Sequence, residues 1–301
     1  MEELLTVASE PKQTIHILNP MAGKGMAKKL MKTIKDDECA YMSKTPESCA
    51  EFMEATCREE PRTCFTVYGG DGTVYRAVNA IMGSGYNSEA SLKVVPVGSG
   101  NDFVKTFEGK KGQCQIDVMK FNGKYAVNVI NMGFDCGVVQ RTLKLKKKPL
   151  ITGKMAYVYG VIGELINKKP LTLSIEMTLE SGEVEKYEGE YLLCAVANAQ
   201  WYGGGFKVAP LADVSDGLLD VVLVKSVSRR TFIGLVGNYK KGTLVDEKGT
   251  PIEKARDILV YKKCKEIKIQ GCGVFCADGE IFEEDHVEIS LLPKALNYIA
   301  E

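Results

Sequence analysis

Thr66-Val67-Tyr68-Gly69-Gly70-Asp71-Gly72-Thr73 is the stretch on which the reading of this chain turns. A β-rich run, Cys64 to Tyr68, stops at Gly-Gly-Asp-Gly-Thr, and an amphipathic helix pattern follows from Val74 to Met82. Gly69, Gly70 and Gly72 free the backbone for left-handed conformations and leave no side chains in the way. Successive N–H groups can then turn inward as a nest for anions, and the helix behind adds its positive end. Asp71 stands in the middle, where a carboxylate can orient Mg²⁺ or its bound water. Such a loop suits a nucleoside triphosphate. The competing reading is a glycine-rich turn that only redirects the chain.

Working outward, two further strand–loop–helix units flank this one. Thr14 to Leu18 reads as a buried strand, followed by Asn19-Pro20-Met21-Ala22-Gly23-Lys24-Gly25 and a basic helix from about Met26 to Ile34. Lys24, leaving a glycine turn, can reach a phosphate or remain a solvated loop lysine. The loop is not a Walker A loop, which needs a glycine at Leu18 and a hydroxyl at Gly25. A short strand, Ala40 to Met42, precedes a helix over Glu47 to Glu59, with Thr45 as its cap and Pro46 at its first position. Downstream, the strand Leu92 to Val97 ends in Gly98-Ser99-Gly100-Asn101-Asp102-Phe103 before a short helix. Alternating strands and helices predict a parallel α/β sheet, whose ligands bind beyond the strand carboxyl ends. All three glycine loops lie at such ends and converge on one crevice.

Beyond this part the pattern changes. Leu171, Leu173, Ile175, Met177 and Leu179 alternate with polar residues, as in a half-buried antiparallel strand. Val184–Ala197, Leu218–Val224, Glu266–Gln270, Val274–Ala277 and Val287–Leu291 are further β-like runs. Helical stretches interrupt near Lys154–Ile166 and Ser228–Asn238. The reading is an α/β domain to about Tyr125 and a β-rich domain to about Glu288.

The 301 residues are 45% apolar and 26% charged with zero formal net charge, which removes a global electrostatic case for nucleic acid. Ten cysteines without a Cys-x-x-Cys pair read as small apolar residues in a reducing cytosol, a zinc site being the alternative. His16 and His286 read as structural. The stretch from Met1 to Pro11 lacks the basic start and apolar middle of a signal peptide, and no apolar run has transmembrane length. The expectation is a cytosolic protein.

Five motifs occur in order: Asn19-Pro20-x-x-Gly23, Gly69 to Thr73, Pro96 to Phe103, Asp213-x-x-Asp216-Gly217-x-Leu219-Asp220, and Asp278-Gly279-Glu280. Together they resemble the bacterial diacylglycerol kinase and lipid kinase family, which shares its catalytic domain with sphingosine and ceramide kinases. The resemblance implies an α/β nucleotide-binding domain joined to a β-sandwich over 126–288, with residues 289–301 returning to the first domain (1–125). Leu292 to Leu296 looks like the returning segment. It implies ATP held by Asn19, Pro20, Met21, Ala22, Gly23, Lys24 and Gly69, Gly70, Asp71, Gly72, Thr73, with contacts from Thr45, Ser99, Asn101 and Asp102. It implies that Asp71 orders Mg²⁺ and water and that Glu280 is the general base on a lipid hydroxyl, most directly that of diacylglycerol. Asp213, Asp216 and the Leu218 carbonyl would form a separate, structural Mg²⁺ site; oxygen ligands suit such a hard cation.

Read without the resemblance, Asp278-Gly279 is a hairpin turn with Glu280 exposed, and Asp213 to Asp220 is a polar turn. Trp201 to Phe206 reads as a structural turn. Where the family commonly carries Asn-Glu, this chain has Tyr75-Arg76. Arg76 reads as a surface helix residue or as a charge for the phosphates. The rival functions are a NAD kinase-like enzyme with a soluble acceptor and a non-catalytic nucleotide- or lipid-binding protein. The partners expected are ATP and a lipid at the membrane surface, with a homodimer as an option. Lys144, Lys146, Lys147 and Lys148, interleaved with Leu143 and Leu145 and followed by Pro149-Leu150, form the expected reversible membrane contact.

Overall fold

A strand buried on both faces belongs inside a parallel sheet covered by helices, and every residue of Thr63–Gly69 is buried. In the computed structural model, which describes residues 10–19, 34, 39–42, 45–98, 100–146, 159–160, 163–164 and 170–301, this strand is central. The elements around it are β1 (Gln13–Leu18), β2 (Cys39–Met42), α1 (Pro46–Glu59), β3 (Thr63–Gly69), α2 (Asp71–Ser84), β4 (Ser91–Pro96) and α3 (Asp102–Lys105). The strands run parallel in the order β2-β1-β3-β4. α1 begins where expected: Thr45 and Ser48 form a reciprocal capping box with Pro46 in the first turn. α2 begins at Asp71 rather than Val74, because Gly70 takes the cap position and Asp71 to Thr73 enter the first turn. It stops at Gly85, whose φ of 80° a glycine adopts without strain. The apolar faces of α1 and α2 close one core around Met53, Phe65, Val67, Val78, Ile81 and Tyr298.

Then β5 (Gly112–Phe121), β6 (Lys124–Ala126), β7 (Val129–Gly133) and α4 (Phe134–Lys146) follow, none of which the sequence reading delimits. After them come β8 (Leu171–Thr178), β9 (Val184–Ala197), β10 (Leu219–Lys225), α5 (Arg229–Lys241), β11 (Leu259–Cys264), β12 (Glu266–Gln270), β13 (Phe275–Ala277), β14 (Glu280–Phe282) and β15 (His286–Ala300). β9 spans two parts of one continuous sheet: Val184–Tyr191 pairs with β8, while its buried second half lies between β7 and β10. Inward side chains of both parts meet in a second core, including Phe121, Met132, Ile175, Cys194, Val221, Ile269 and Phe275. This is the β-sandwich that the resemblance implies, within the β-rich part read from alternation.

β15 is one long strand rather than a short strand and a separate return. Its first half pairs with β12 and its second half runs parallel to β4, while β5 accompanies both halves antiparallel. The register shifts between Leu292 and Leu296, around Pro293. A proline has no N–H for the ladder and is tolerated at such an irregularity. Two strands thus tie the parallel layer to the sandwich, which holds the Asp278–Glu280 hairpin against α2.

The expected helices Met26–Ile34 and Lys154–Ile166 lie largely outside the described residues, as do Lys147, Lys148, Pro149 and Leu150. Lys144 is exposed on α4. Of the cysteines, Cys39 is exposed, Cys49 and Cys114 are half-buried and the other seven are buried. His16 is buried, with its Nδ1 2.9 Å from the Tyr68 hydroxyl. Among the described residues no helix is long and apolar enough to cross a membrane.

Candidate active site

The loops after β3 and β4 touch backbone to backbone. A Cβ on Gly98 would stand 2.5 Å from the Gly70 Cα, and one on Gly69 would stand 2.3 Å from the Thr73 Cβ. The Val97 N–H donates to the Gly69 carbonyl at 3.1 Å. Asn101, at a left-handed φ of 52°, accepts from the Gly98 N–H and donates to its carbonyl, both at 3.0 Å. Asn19 donates to the Thr73 hydroxyl at 3.3 Å, which brings the end of β1 to the same place. No side chain caps α2, so N–H groups of its first turn are left for a ligand.

Asp71 turns its carboxylate toward the third loop. Its Oδ1 accepts from the Asp102 and Phe103 N–H groups at 2.8 and 3.3 Å. Its Oδ2 faces Gly100, where a Cβ would come within 2.8 Å. Asp102 is bound by Lys105 at 2.5 Å and by the Gly204 N–H at 2.6 Å. Burial pushes the Asp71 carboxyl above its ordinary value, and the neighbouring Asp102 adds to this. Two carboxylates that share a small space gain from a cation between them.

The opposite wall is the β13–β14 hairpin. Asp278 is buried and accepts three backbone N–H groups, from Val127, Asn128 and Val129, at 2.8, 3.0 and 3.0 Å. Burial still pushes it up to about 7. Asp278 is thus more than a hairpin turn residue: it seats the hairpin on the loop before β7. Glu280 then lies against the first turn of α2, where a Cβ on Gly72 would be 3.4 Å from its Oε1. The same Oε1 accepts from Arg76 Nη2 at 3.0 Å. Arg76 therefore joins the candidate site through Glu280. Its signal in the sequence was the departure from Asn-Glu; the contact itself spans 204 positions.

The residues expected to bind a structural cation form a separate cluster. Asp213 Oδ1 accepts from the Ser215 N–H and hydroxyl, and Asp216 Oδ1 accepts from the Leu218 N–H at 3.0 Å. Asp216 Oδ2 is held by Lys263 at 2.6 Å, and the same ammonium reaches buried Asp220 at 3.0 Å and the Leu211 carbonyl at 3.1 Å. The sequence reading missed Lys263. Burial raises the Asp220 carboxyl to about 6 despite this lysine. No group of three or more His, Cys, Asp or Glu side chains among the described residues has metal-holding geometry. Mg²⁺, however, is commonly bound through one or two carboxylates together with substrate phosphates and water, and Asp71 with Asp102 fit that mode.

The turn over Trp201 to Phe206 also reaches the site. Gly204 binds Asp102, while Tyr202 donates to half-buried Asp135 beside Tyr239. Thr45, predicted to touch the nucleotide, accepts from the Ser48 N–H as the cap of α1. Pro20, Met21, Ala22, Gly23, Lys24 and Ser99 lie outside the described residues.

This geometry defines a class: an α/β layer with glycine loops at its strand ends, faced by a carboxylate from a β-sandwich. The diacylglycerol kinase catalytic domain matches residues 13–131, and the YegS C-terminal NAD kinase beta sandwich-like domain matches residues 128–300. The "Probable lipid kinase YegS-like" of Alcanivorax borkumensis is 30% identical over 247 residues, covering 77% of each chain. A diacylglycerol kinase of Mycobacterium tuberculosis (strain H37Rv) is 28% identical over 251 residues, 77% of this chain and 75% of that protein. The fold resembles that of a diacylglycerol kinase from Bacillus anthracis str. Sterne with a TM-score of 0.68 at 19% identity, over 97% of this chain and 98% of that one. The chain belongs to the bacterial diacylglycerol kinase and YegS-like lipid kinase family.

Proposed function

We propose that this protein is an ATP- and Mg²⁺-dependent lipid kinase that transfers the γ-phosphoryl group to a lipid hydroxyl, with diacylglycerol to phosphatidic acid as the leading reaction. Family membership supports the coarser reading, a lipid kinase. The observation that carries the chemistry is the approach of Glu280 to the first turn of α2 at Gly72, across from the glycine loop. ATP is assigned to the loops from Asn19, Gly69 and Gly98, with Thr45 at the rim. Glu280 takes the proton of the acceptor hydroxyl as its oxygen bonds to the γ-phosphorus. The bond from that phosphorus to the bridging oxygen breaks, and ADP leaves with the electron pair. Mg²⁺ held by Asp71 and Asp102 would offset phosphate charge. We assign residues 1–125 and 289–301 to the ATP-binding domain and 126–288 to the sandwich. Asp213, Asp216 and the Leu218 carbonyl remain our choice for a structural Mg²⁺, which there competes with the Lys263 ammonium.

A bilayer substrate requires a reversible surface contact. Lys144 at the end of α4 belongs to the basic cluster expected to make it. α5 offers a second surface: Arg229, Arg230, Lys240 and Lys241 are exposed at its ends and Ile233 is 61% exposed between them. No residue of α5 is fully buried, and an apolar cavity of about 40 Å³ lies beneath it. Basic amphipathic helices of this kind bind anionic membrane surfaces.

Incubation with labelled ATP, Mg²⁺ and a panel of diacylglycerol, a sphingoid base and NAD⁺ tests the function. Label is expected in a lipid; label in NAD⁺ alone would replace this reading with the NAD kinase-like one. Glu280→Gln is expected to lose ~10²–10⁴-fold in turnover while nucleotide binding survives.

A further inference from the structure

Arg76 sits one helical turn after Gly72 on α2, the helix whose amino end follows the glycine loop. Helix geometry places residues four apart on one face, and this face looks across at the β13–β14 hairpin. Its guanidinium meets Glu280 at 3.0 Å, with both side chains a little over a third exposed (38% and 37%). A half-exposed ion pair of this kind adds little to stability, about 0–1 kcal/mol. Fold stability therefore gives no strong reason for an arginine here. The guanidinium carries five N–H donors, yet Glu280 is its only bonding partner among the described residues.

The charge around Arg76 points the same way. Glu47, in the first turn of α1 beside Thr45, is held below its ordinary value chiefly by its own backbone N–H and the Thr45 hydroxyl, and the Arg76 charge adds to this. Arg76 thus stands between the rim expected to meet the nucleotide, the glycine loop and the candidate base. The transferring phosphoryl group must pass between that loop and that base. An arginine fork is suited to phosphate oxygens, which it can bind in pairs.

We propose that Arg76 is a phosphate-binding residue that engages the γ-phosphate of bound ATP while keeping Glu280 beside it. Arg76 then both neutralises charge on the transferring group and fixes the base at the acceptor hydroxyl. This rests on the kinase reading above. It places a positive charge where the family commonly has a carboxylate, so the γ-phosphate of this protein is held by a side chain of its own.

Isothermal titration of the full chain with ADP and with a non-hydrolysable ATP analogue, both in Mg²⁺, tests the assignment. Arg76→Gln is expected to weaken the triphosphate about tenfold, the scale of one charged hydrogen bond, and to leave ADP affinity unchanged. Unchanged ADP binding also certifies that the variant is folded. Arg76→Lys should recover part of the loss, and Glu280→Gln should leave the triphosphate preference intact. Equal weakening of both nucleotides, or of neither, would remove Arg76 from the γ-phosphate. A loss seen only in the acceptor KM would move it to the lipid headgroup and overturn the assignment. Wild-type protein that binds neither nucleotide would instead overturn the kinase reading itself.

Discussion

The molecule holds two acidic clusters that differ in what holds most of their carboxylates. At the candidate active site, Asp71 is held by two backbone N–H groups, Asp278 by three, and Asp102 by the Gly204 N–H together with Lys105. In the loop before β10, Asp216 and Asp220 share the Lys263 ammonium instead. Backbone dipoles orient a carboxylate without cancelling its formal charge, so it can still attract a cation. An ammonium ion cancels the charge and closes the cluster. Asp71 and Asp278 therefore differ in electrostatics from Asp216 and Asp220, and the difference lies in their partners.

The largest expected effect is that of Asp278→Ala. It strands three buried N–H groups at about 1–3 kcal/mol each, so thermal melting should show a loss of at least about 3 kcal/mol, with activity falling as the hairpin carrying Glu280 shifts. A melting curve like that of wild type would mean that Asp278 does not seat the hairpin.

In the second cluster, Lys263→Met leaves buried Asp220 without its cation and should cost about 2–3 kcal/mol without divalent ions. Added Mg²⁺ should raise the melting temperature of this variant more than that of wild type, because the competing ammonium is gone. An identical Mg²⁺ response in both proteins would argue against a cation site at Asp213, Asp216 and Leu218.

Asp135 extends the comparison to a carboxylate bound by tyrosines. Burial holds it up at about 6. Its folded-state value lies above the unfolded one, so the folded protein keeps a proton that the unfolded chain releases. Stability from this group is full below about pH 4 and is lost as pH rises to about 6. Asp135→Asn should gain on wild type by about 1–3 kcal/mol across that window when denaturant melts are run at each pH. Parallel stability curves would show that Asp135 does not titrate there.

The smallest effect per residue concerns the membrane. Replacing Arg229, Arg230, Lys240 and Lys241 by glutamine should weaken co-sedimentation with anionic vesicles by about 1 kcal/mol per residue near the surface, and salt should do the same. Unchanged binding would return the contact to the cluster that begins at Lys144.

Much was legible where the signal is local. Alternation over Leu171 to Leu179 marked β8, and the β-like runs Val184–Ala197 and Glu266–Gln270 coincide with β9 and β12. Thr45-Pro46 announced α1, and Gly69-Gly70-Asp71-Gly72-Thr73 announced the turn into α2. Each of these depends on residues a few positions apart. By contrast, α4 begins at Phe134-Asp135-Cys136-Gly137, a start with a glycine and no capping signature, and went unread. β5 went unread as a strand although Cys114, Ile116 and Val118 alternate with polar residues, because its role depends on β15, far along the chain.

The sequence by itself determined the chemistry available: glycine loops that tolerate phosphate, carboxylates that suit Mg²⁺, and an order of motifs that names the family. Only the tertiary structure decided which groups act on one another. Arg76 reaches Glu280 across 204 positions, Lys263 reaches Asp216 across 47, and Asp278 finds its three N–H donors about 150 residues upstream. Such pairings follow from strand register and from the path of β15 between the two layers. Register is set by the summed packing of whole sheets, and no short stretch of sequence carries that sum.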